Sequence, residues 1–396
     1  MSIKIIYKDR DIKKFIFKLI SQNKFLNIKV EREVEKIFQN IQAKGDKALF
    51  NYAKKFDGCK LNEKNIVINK NKIKVFAKKC PKDITNALFF SASRIKKFHL
   101  HQIPKNYKYK DNKGVILGSQ WKPINSIGVY VPGGTASYPS SILMSSIPAK
   151  IAGVKKIVMV IPQKNTKLNP IIAKAAEIAD IDMIYRVGGA HSIAALAWGT
   201  KSIEAVDKIV GPGNIYVTTA KKKIFGDVGI DMIAGPSEIL VVSDKNNNPD
   251  WIAADLLSQA EHDVNSRSIL LTDDFLFAKK VIKSIDLILK KLPRSKIASK
   301  SWENNGKIII IKNISNSYKI INQLAPEHLE LAIEKPEKVL NKVNNAGSVF
   351  LGKYTPEAIG DYVAGPNHVL PTGRTARFSS GLGVTDFLKK ITFTKC

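Results

Sequence analysis

Three short stretches hold the residue types that could do chemistry: Gln259-Ala-Glu-His-Asp263, Leu324-Ala-Pro-Glu-His-Leu-Glu330 and Gly360-Asp-Tyr-Val-Ala-Gly-Pro-Asn-His368. The chain has six histidines in 396 residues, and His262, His328 and His368 all sit beside acidic or amide side chains in Gly/Pro-rich surroundings. Imidazoles placed next to carboxylates and amides suit acid–base catalysis and metal binding. Gln259 and His262 are three apart at the end of a helix predicted over 249–261, so they share a face. With an oxygen from Asp361 on a separate segment they could hold zinc. His262 could equally be a helix end-cap, where positive charge is favoured. Glu327 and His328 are adjacent in a segment leading into a strand, so their side chains point apart. They could serve two different steps, one activating water and the other taking a proton from an alcohol. A histidine merely satisfied near a turn is the simpler alternative, and Asn367-His368 could likewise be only a turn.

These residues need a scaffold, and the chain supplies two kinds of pattern. Residues 1–105 read as charged amphipathic helices, as in Arg32-Glu-Val-Glu-Lys-Ile-Phe38. Tyr107 to Trp121 is polar and irregular, with a strand predicted over 114–118. Strands are then predicted over 127–132, 156–161, 182–187 and 208–210, alternating with helices over 138–152, 170–179 and 191–198 and another opening at Asn214. Further strands follow over 239–243, 268–272, 307–311, 329–332 and 348–351. This alternation predicts an α/β fold of two doubly wound, Rossmann-like parallel-sheet domains behind an N-terminal helical region. The turns Pro132-Gly-Gly134, Gly188-Gly189 and Gly211-Pro-Gly-Asn214 each join a strand end to a helix. They could cradle phosphates with bare N–H groups, or be tight turns and no more.

Composition bounds the class. Net charge is +30, from 64 basic and 34 acidic residues; 8 of the basic residues are Arg, leaving 56 Lys. The lysines are spread over every predicted helix, with no Arg-rich groove or interleaved aromatics. A solvated basic surface explains them better than specific nucleic-acid binding, which remains a distant alternative. The three cysteines, Cys59, Cys80 and Cys396, have no CxxC spacing and fit a reducing compartment. No apolar leader and no run near the ~18 apolar residues of a membrane span is present. The expectation is a cytoplasmic protein without membrane contact.

Taken together, Gly128–Ser141, Gly211–Asn214, Asp231-Met-Ile-Ala-Gly-Pro-Ser-Glu238, Leu257–Asp263, Ala325–Glu330 and Gly365-Pro-Asn-His-Val-Leu-Pro-Thr372 resemble the histidinol dehydrogenases, in order and spacing, from about residue 20 to 390. The resemblance implies NAD-dependent, four-electron oxidation of L-histidinol to L-histidine through L-histidinaldehyde. It implies one Zn2+ per subunit on Gln259, His262 and Asp361, with Glu327 and His328 as the catalytic acid/base residues. Ser237, Gln259, His262, His328, Asp361 and His368 would contact substrate, and Tyr130, His191 and Asn214 the NAD. The implied domains are an N-terminal arm (1–20), a zinc and substrate domain (21–126 plus 236–383), an NAD-binding domain (127–235) and the start of a tail (384–396). A homodimer is implied. Two departures stand out. His191 occupies a position where the family usually has Gln. The family also continues beyond the last residue here into a tail with a substrate-binding Glu and a zinc-binding His, so the alternative expectation is an impaired or inactive relative with a weakened dimer.

Overall fold

The structure, a computed structural model, describes residues 5–22, 28–133, 138–163 and 168–396. The chain divides into two compact units: Met1–Phe25, Ala234–Asp361 and Leu370–Gly381 form one, and Leu26–Ile233, Tyr362–Val369 and Leu382–Cys396 form the other.

The first unit is built on a six-stranded parallel sheet ordered Ile5–Ile6, Lys307–Ile310, Arg267–Thr272, Glu238–Ser243, His328–Ala332, Ser348–Leu351. The strand Glu238–Ser243 is buried along its whole length, as a strand covered on both faces must be. Its side chains alternate: Ile239 and Val241 join a core with Leu256, Leu270 and Trp302, whereas Leu240 and Val242 join one with Ile12, Ile16 and Leu329. Ile12 and Ile16 come from the helix Asp9–Gln22, so the expected N-terminal arm is a packed part of this unit. The helix Pro249–Ala260 opens with Pro at its first position and an Asn248 cap bonded to the Asp250 N–H.

The second unit has a six-stranded sheet ordered Val67–Asn69, Met183–Tyr185, Lys156–Val160, Ser126–Tyr130, Lys208–Val210, Gly229–Ile230. It is parallel except for Val67–Asn69, which runs antiparallel at the edge. Apolar clusters cover both faces. One takes Ile127, Val129, Ile142 and Ile95, and the other takes Val158, Val160, Val34 and Ile41. A separate antiparallel sheet joins Tyr107–Lys110, Ile116–Pro123 and Leu388–Lys395.

Three expectations need correction. Residues 26–126 belong with the 127–233 sheet, not with 236–383. Val34 and Ile41 of the helix Ile28–Lys44 and Ile95 of Lys82–Leu100 supply the apolar faces that cover this sheet, and such a sheet cannot stand uncovered. The 384–396 segment, expected as the separate start of a tail, lies in the second unit, where Leu388–Lys395 pairs with Ile116–Pro123 along eight residues. The domain reading also missed that 362–369 leaves the first unit for the second. Among the described residues no helix is long and apolar enough to cross a membrane.

Candidate active site

The first unit gathers its chemistry at the amino ends of its strands. Glu238 opens one strand and His328 the next, and Ile239 lies opposite His328 in the ladder. The Glu238 N–H donates to Glu327 Oε2 at 2.9 Å. The Glu238 carbonyl lies 3.1 Å from His328 Nδ1. A carbonyl oxygen only accepts, so the Nδ1 of His328 carries the proton and Nε2 is the basic nitrogen of the neutral ring. Nε2 faces Glu357 Oε1 at 3.5 Å, and Nδ1 is 3.8 Å from Glu327 Oε2, so the two side chains converge on the Glu238 backbone instead of pointing apart as expected. Both catalytic candidates are buried, Glu327 at 6% and His328 at 5% exposure. Burial pushes the Glu327 carboxyl well up, with the charges of Glu238, Asp361 and Glu357 adding to it and the Glu238 N–H opposing.

The helix Pro249–Ala260 brings in the metal candidates. Gln259 Nε2 lies 3.4 Å from His262 Nδ1, just past the helix end. Gln259 is buried, and its Oε1 has no hydrogen-bond partner among the described residues. A buried amide oxygen left unbonded is costly and fits a ligand position. His328, Glu357 and Asp361 offer ligand atoms within 4.8 Å of one another. Asp361 therefore sits with His328. Ser237 is half-buried directly before Glu238, its carbonyl accepting from the Arg267 N–H at 2.9 Å.

Behind these residues lie carboxyls that sequence reasoning did not single out. Asp255 and Glu330 are buried and hydrogen-bonded to each other. Ser258 Oγ donates to Glu357 Oε2 at 3.1 Å. The signals were available: Asp255, Ser258, Gln259 and His262 follow helical spacing, and Glu330 is two residues after His328 on the same strand face. Burial first, then the charge of Asp255, pushes Glu330 up to about 9. Burial raises Asp255 to about 6, and burial followed by the charge of Asp361 raises Glu357 to about 8. Raised carboxyls stabilise the fold below their unfolded pKa values, and that stability is lost as pH rises through the folded ones. Metal-free protein is therefore expected to lose stability between about pH 5 and 9. Glu330→Gln should gain on the parent by about 1–3 kcal/mol at the upper end of that range, read from denaturant midpoints at each pH; an unchanged difference across it would contradict this.

The second unit holds a cavity of about 1290 Å³ lined by Tyr52, Phe56, Tyr130, Tyr138, His191 and Asn214 among others. All three expected cofactor residues, Tyr130, His191 and Asn214, line it. His191 Nε2 pairs with Asp57 Oδ2 at 3.1 Å, and the same oxygen accepts the Gly188 N–H at 3.1 Å. Tyr130 Oη accepts the Gly189 N–H at 3.3 Å, and burial pushes its hydroxyl up to about 12. Asn214 Oδ1 caps the helix Ile215–Ile224 through the Tyr216 and Val217 N–H groups. Gly211 has φ +113° and abuts the Tyr130 carbonyl, a position closed to any side chain. Asp231 Oδ2 accepts the Gly211 N–H at 2.8 Å, and the buried Lys221 donates to the Gly211 carbonyl at 3.0 Å and pairs with Asp231. The Gly134 end of the turn Pro132–Gly134 lies outside the described residues. His368 is half-buried in the second unit. Its neighbour Asn367 is tied to the Met144 carbonyl at 2.7 Å.

Comparison with known proteins is consistent across sequence and structure. A family model described as histidinol dehydrogenase matches residues 21–396. Histidinol dehydrogenase 1 of Nostoc sp. is 50% identical over 378 residues, 96% of this chain and 87% of that protein. Histidinol dehydrogenase of Rhizobium meliloti is 47% identical over 390 residues, 98% of this chain and 90% of that protein. The crystal structure of histidinol dehydrogenase from Elizabethkingia anophelis superposes with a TM-score of 0.92 at 39% identity, covering 100% of this chain and 91% of that one.

Proposed function

The chain belongs to the histidinol dehydrogenase family, and on that premise we propose that it oxidises L-histidinol to L-histidine through L-histidinaldehyde, using NAD and a zinc ion. The observation that carries this reading is the pairing of Glu327 and His328 on the two backbone groups of Glu238. It supports a separate role for each side chain. With its proton on Nδ1, His328 presents Nε2 to take the proton of the substrate alcohol. Glu327, held by the Glu238 N–H, takes a proton from the water that hydrates the aldehyde. Burial raises its pKa and so makes it a stronger base than an ordinary carboxylate. Glu357 faces the ring nitrogen that becomes protonated, 3.5 Å away, and its carboxyl oxygen can accept that N–H. NAD, when bound, accepts the electrons of both oxidations.

Gln259, His262 and Asp361 would hold the zinc. Amide oxygen, imidazole and carboxylate form a fitting donor set, and the unbonded Gln259 oxygen supports it. Held there, a zinc ion would supply Lewis-acid polarisation of the substrate and would offset the crowded carboxylates. Ser237 and His368 are assigned to substrate, and Tyr130, His191 and Asn214 to NAD. The cavity they line, with aromatic walls and the Gly189 N–H beside it, suits a dinucleotide. The family likeness also supports a homodimer in the cytoplasm.

Zinc retention tests the metal assignment apart from turnover. The parent chain should keep about one zinc per subunit through dialysis. His262→Ala should bind it roughly tenfold or more weakly, by analogy with the losses that follow disturbed metal sites. Equal retention by both proteins would remove His262 from the ligand set.

A further inference from the structure

Glu238 is the first residue of its strand, and both its backbone groups face the neighbouring strand that begins at His328. At this end of the ladder they bond the side chains of Glu327 and His328. The first residue of a strand has no ladder behind it to fix its peptide groups. Here the fixing comes from its own side chain. Arg267 Nη1 donates to Glu238 Oε1 at 3.0 Å, and both side chains are largely buried, at 18% and 11% exposure. The Gly373 N–H bonds the same carboxylate and the Arg374 charge lies near it. Arg267 itself opens the adjoining strand directly opposite Glu238. Its backbone N–H bonds the Ser237 carbonyl, so Arg267 grips both residues from backbone and side chain.

We propose that the Glu238–Arg267 pair is a positioning device for the catalytic residues: it holds the Glu238 peptide groups so that the carbonyl keeps His328 in the Nδ1-protonated tautomer and the N–H aims the Glu327 carboxylate. The proposal rests on the roles assigned above to His328 and Glu327. Neither Glu238 nor Arg267 touches the reacting atoms. If the Glu238 carbonyl swings away, His328 loses the acceptor that selects its tautomer, and a share of the molecules carry the proton on Nε2. Those molecules cannot take the alcohol proton until they reorganise. Substrate binding does not depend on the tautomer in the same way. The expected signature is a loss in kcat with little change in KM.

The test uses the zinc-loaded full chain and three variants, Arg267→Met, Arg267→Lys and Glu238→Gln. Arg267→Met should lower kcat about tenfold to a hundredfold, the range for residues that orient an active group, with KM for histidinol held within about threefold. Arg267→Lys keeps a charge on Glu238 and should recover part of that loss, as should Glu238→Gln, which keeps an acceptor for Arg267. Long-range 1H–15N spectra of histidine-labelled protein supply an independent readout, assigned with His328→Asn. The parent should show His328 as the Nδ1–H tautomer, and Arg267→Met a mixture. Unchanged kcat and an unchanged tautomer in folded Arg267→Met would overturn the proposal. If Arg267→Met does not fold, an unaltered tautomer and kcat in Glu238→Gln would overturn it instead. A parent with no turnover but the Nδ1–H tautomer, lost in the variant, would sink the catalytic reading while leaving the positioning role standing.

Discussion

Glu327→Gln is expected to convert histidinol to the aldehyde and then stall, whereas His328→Asn loses both oxidations. The division follows from the geometry. His328 keeps Nε2 as its basic nitrogen, with Glu357 Oε1 3.5 Å away, and on the proposed reading it takes the alcohol proton in the first oxidation. Glu327 is held separately by a backbone N–H and is needed when water enters. A glutamine in its place accepts the same hydrogen bond but cannot take a proton from water. Removing a general base costs about 10²–10⁴ in rate. His328→Asn should therefore lower kcat for both steps by about that factor. Glu327→Gln should lower overall kcat comparably while leaving a first-turnover burst of NADH. Stopped-flow absorbance separates the two; equal loss of the burst in both variants would contradict the division of labour.

Lys221→Met should be the most destabilising single change in the second unit. Lys221 and Asp231 have 4% and 1% of their side chains exposed. Asp231 also accepts the Gly211 and Met232 N–H groups, at 2.8 and 2.7 Å. Losing the lysine strands a buried carboxylate, which costs about 3–5 kcal/mol for a buried pair broken on one side. Adding Asp231→Asn removes the stranded charge and should recover a part of it, since the amide oxygen still accepts one of the two N–H groups. The change also loosens the Gly211 turn leading to Asn214 on the cavity wall, so NAD should bind more weakly. Denaturant unfolding of the two variants checks this; a loss below about 1 kcal/mol, the level of a surface pair, would contradict it.

Most strands of the two six-stranded sheets could be read directly from the sequence because their apolar runs are buried on both faces and punctuated by Gly and Pro; Ile5–Ile6, Val67–Asn69 and Gly229–Ile230, only two or three residues long, could not. Asp182–Val187 and Ile239–Ser243 are examples. The assignment of 26–126 could not be read. Amphipathic helices show that they have an apolar face but not which sheet it covers. Leu388–Lys395 is mostly exposed with a lysine-rich start, so it lacked the pattern of a buried strand. The site residues Gln259, His262, Glu327, His328 and Asp361 stood out because histidine is scarce and each neighbours amides or acids. Glu238, Asp255, Glu330 and Glu357 did not, because acids in a chain with 34 of them attract no notice. Only the fold shows that these are buried. The position of the site also differs from the usual expectation for open parallel sheets, whose ligands bind at strand carboxyl ends. In the first unit the catalytic candidates lie at the amino ends of the strands, and the glycine turns of the second unit follow the usual rule.

The most direct test of the central claim is the number of NADH formed per histidinol consumed by the zinc-loaded chain, followed to completion with histidinol limiting. Two NADH per histidinol are expected, with histidine as the product and loss of turnover on chelation. One NADH with accumulated aldehyde, or none from folded and zinc-loaded protein, would contradict it.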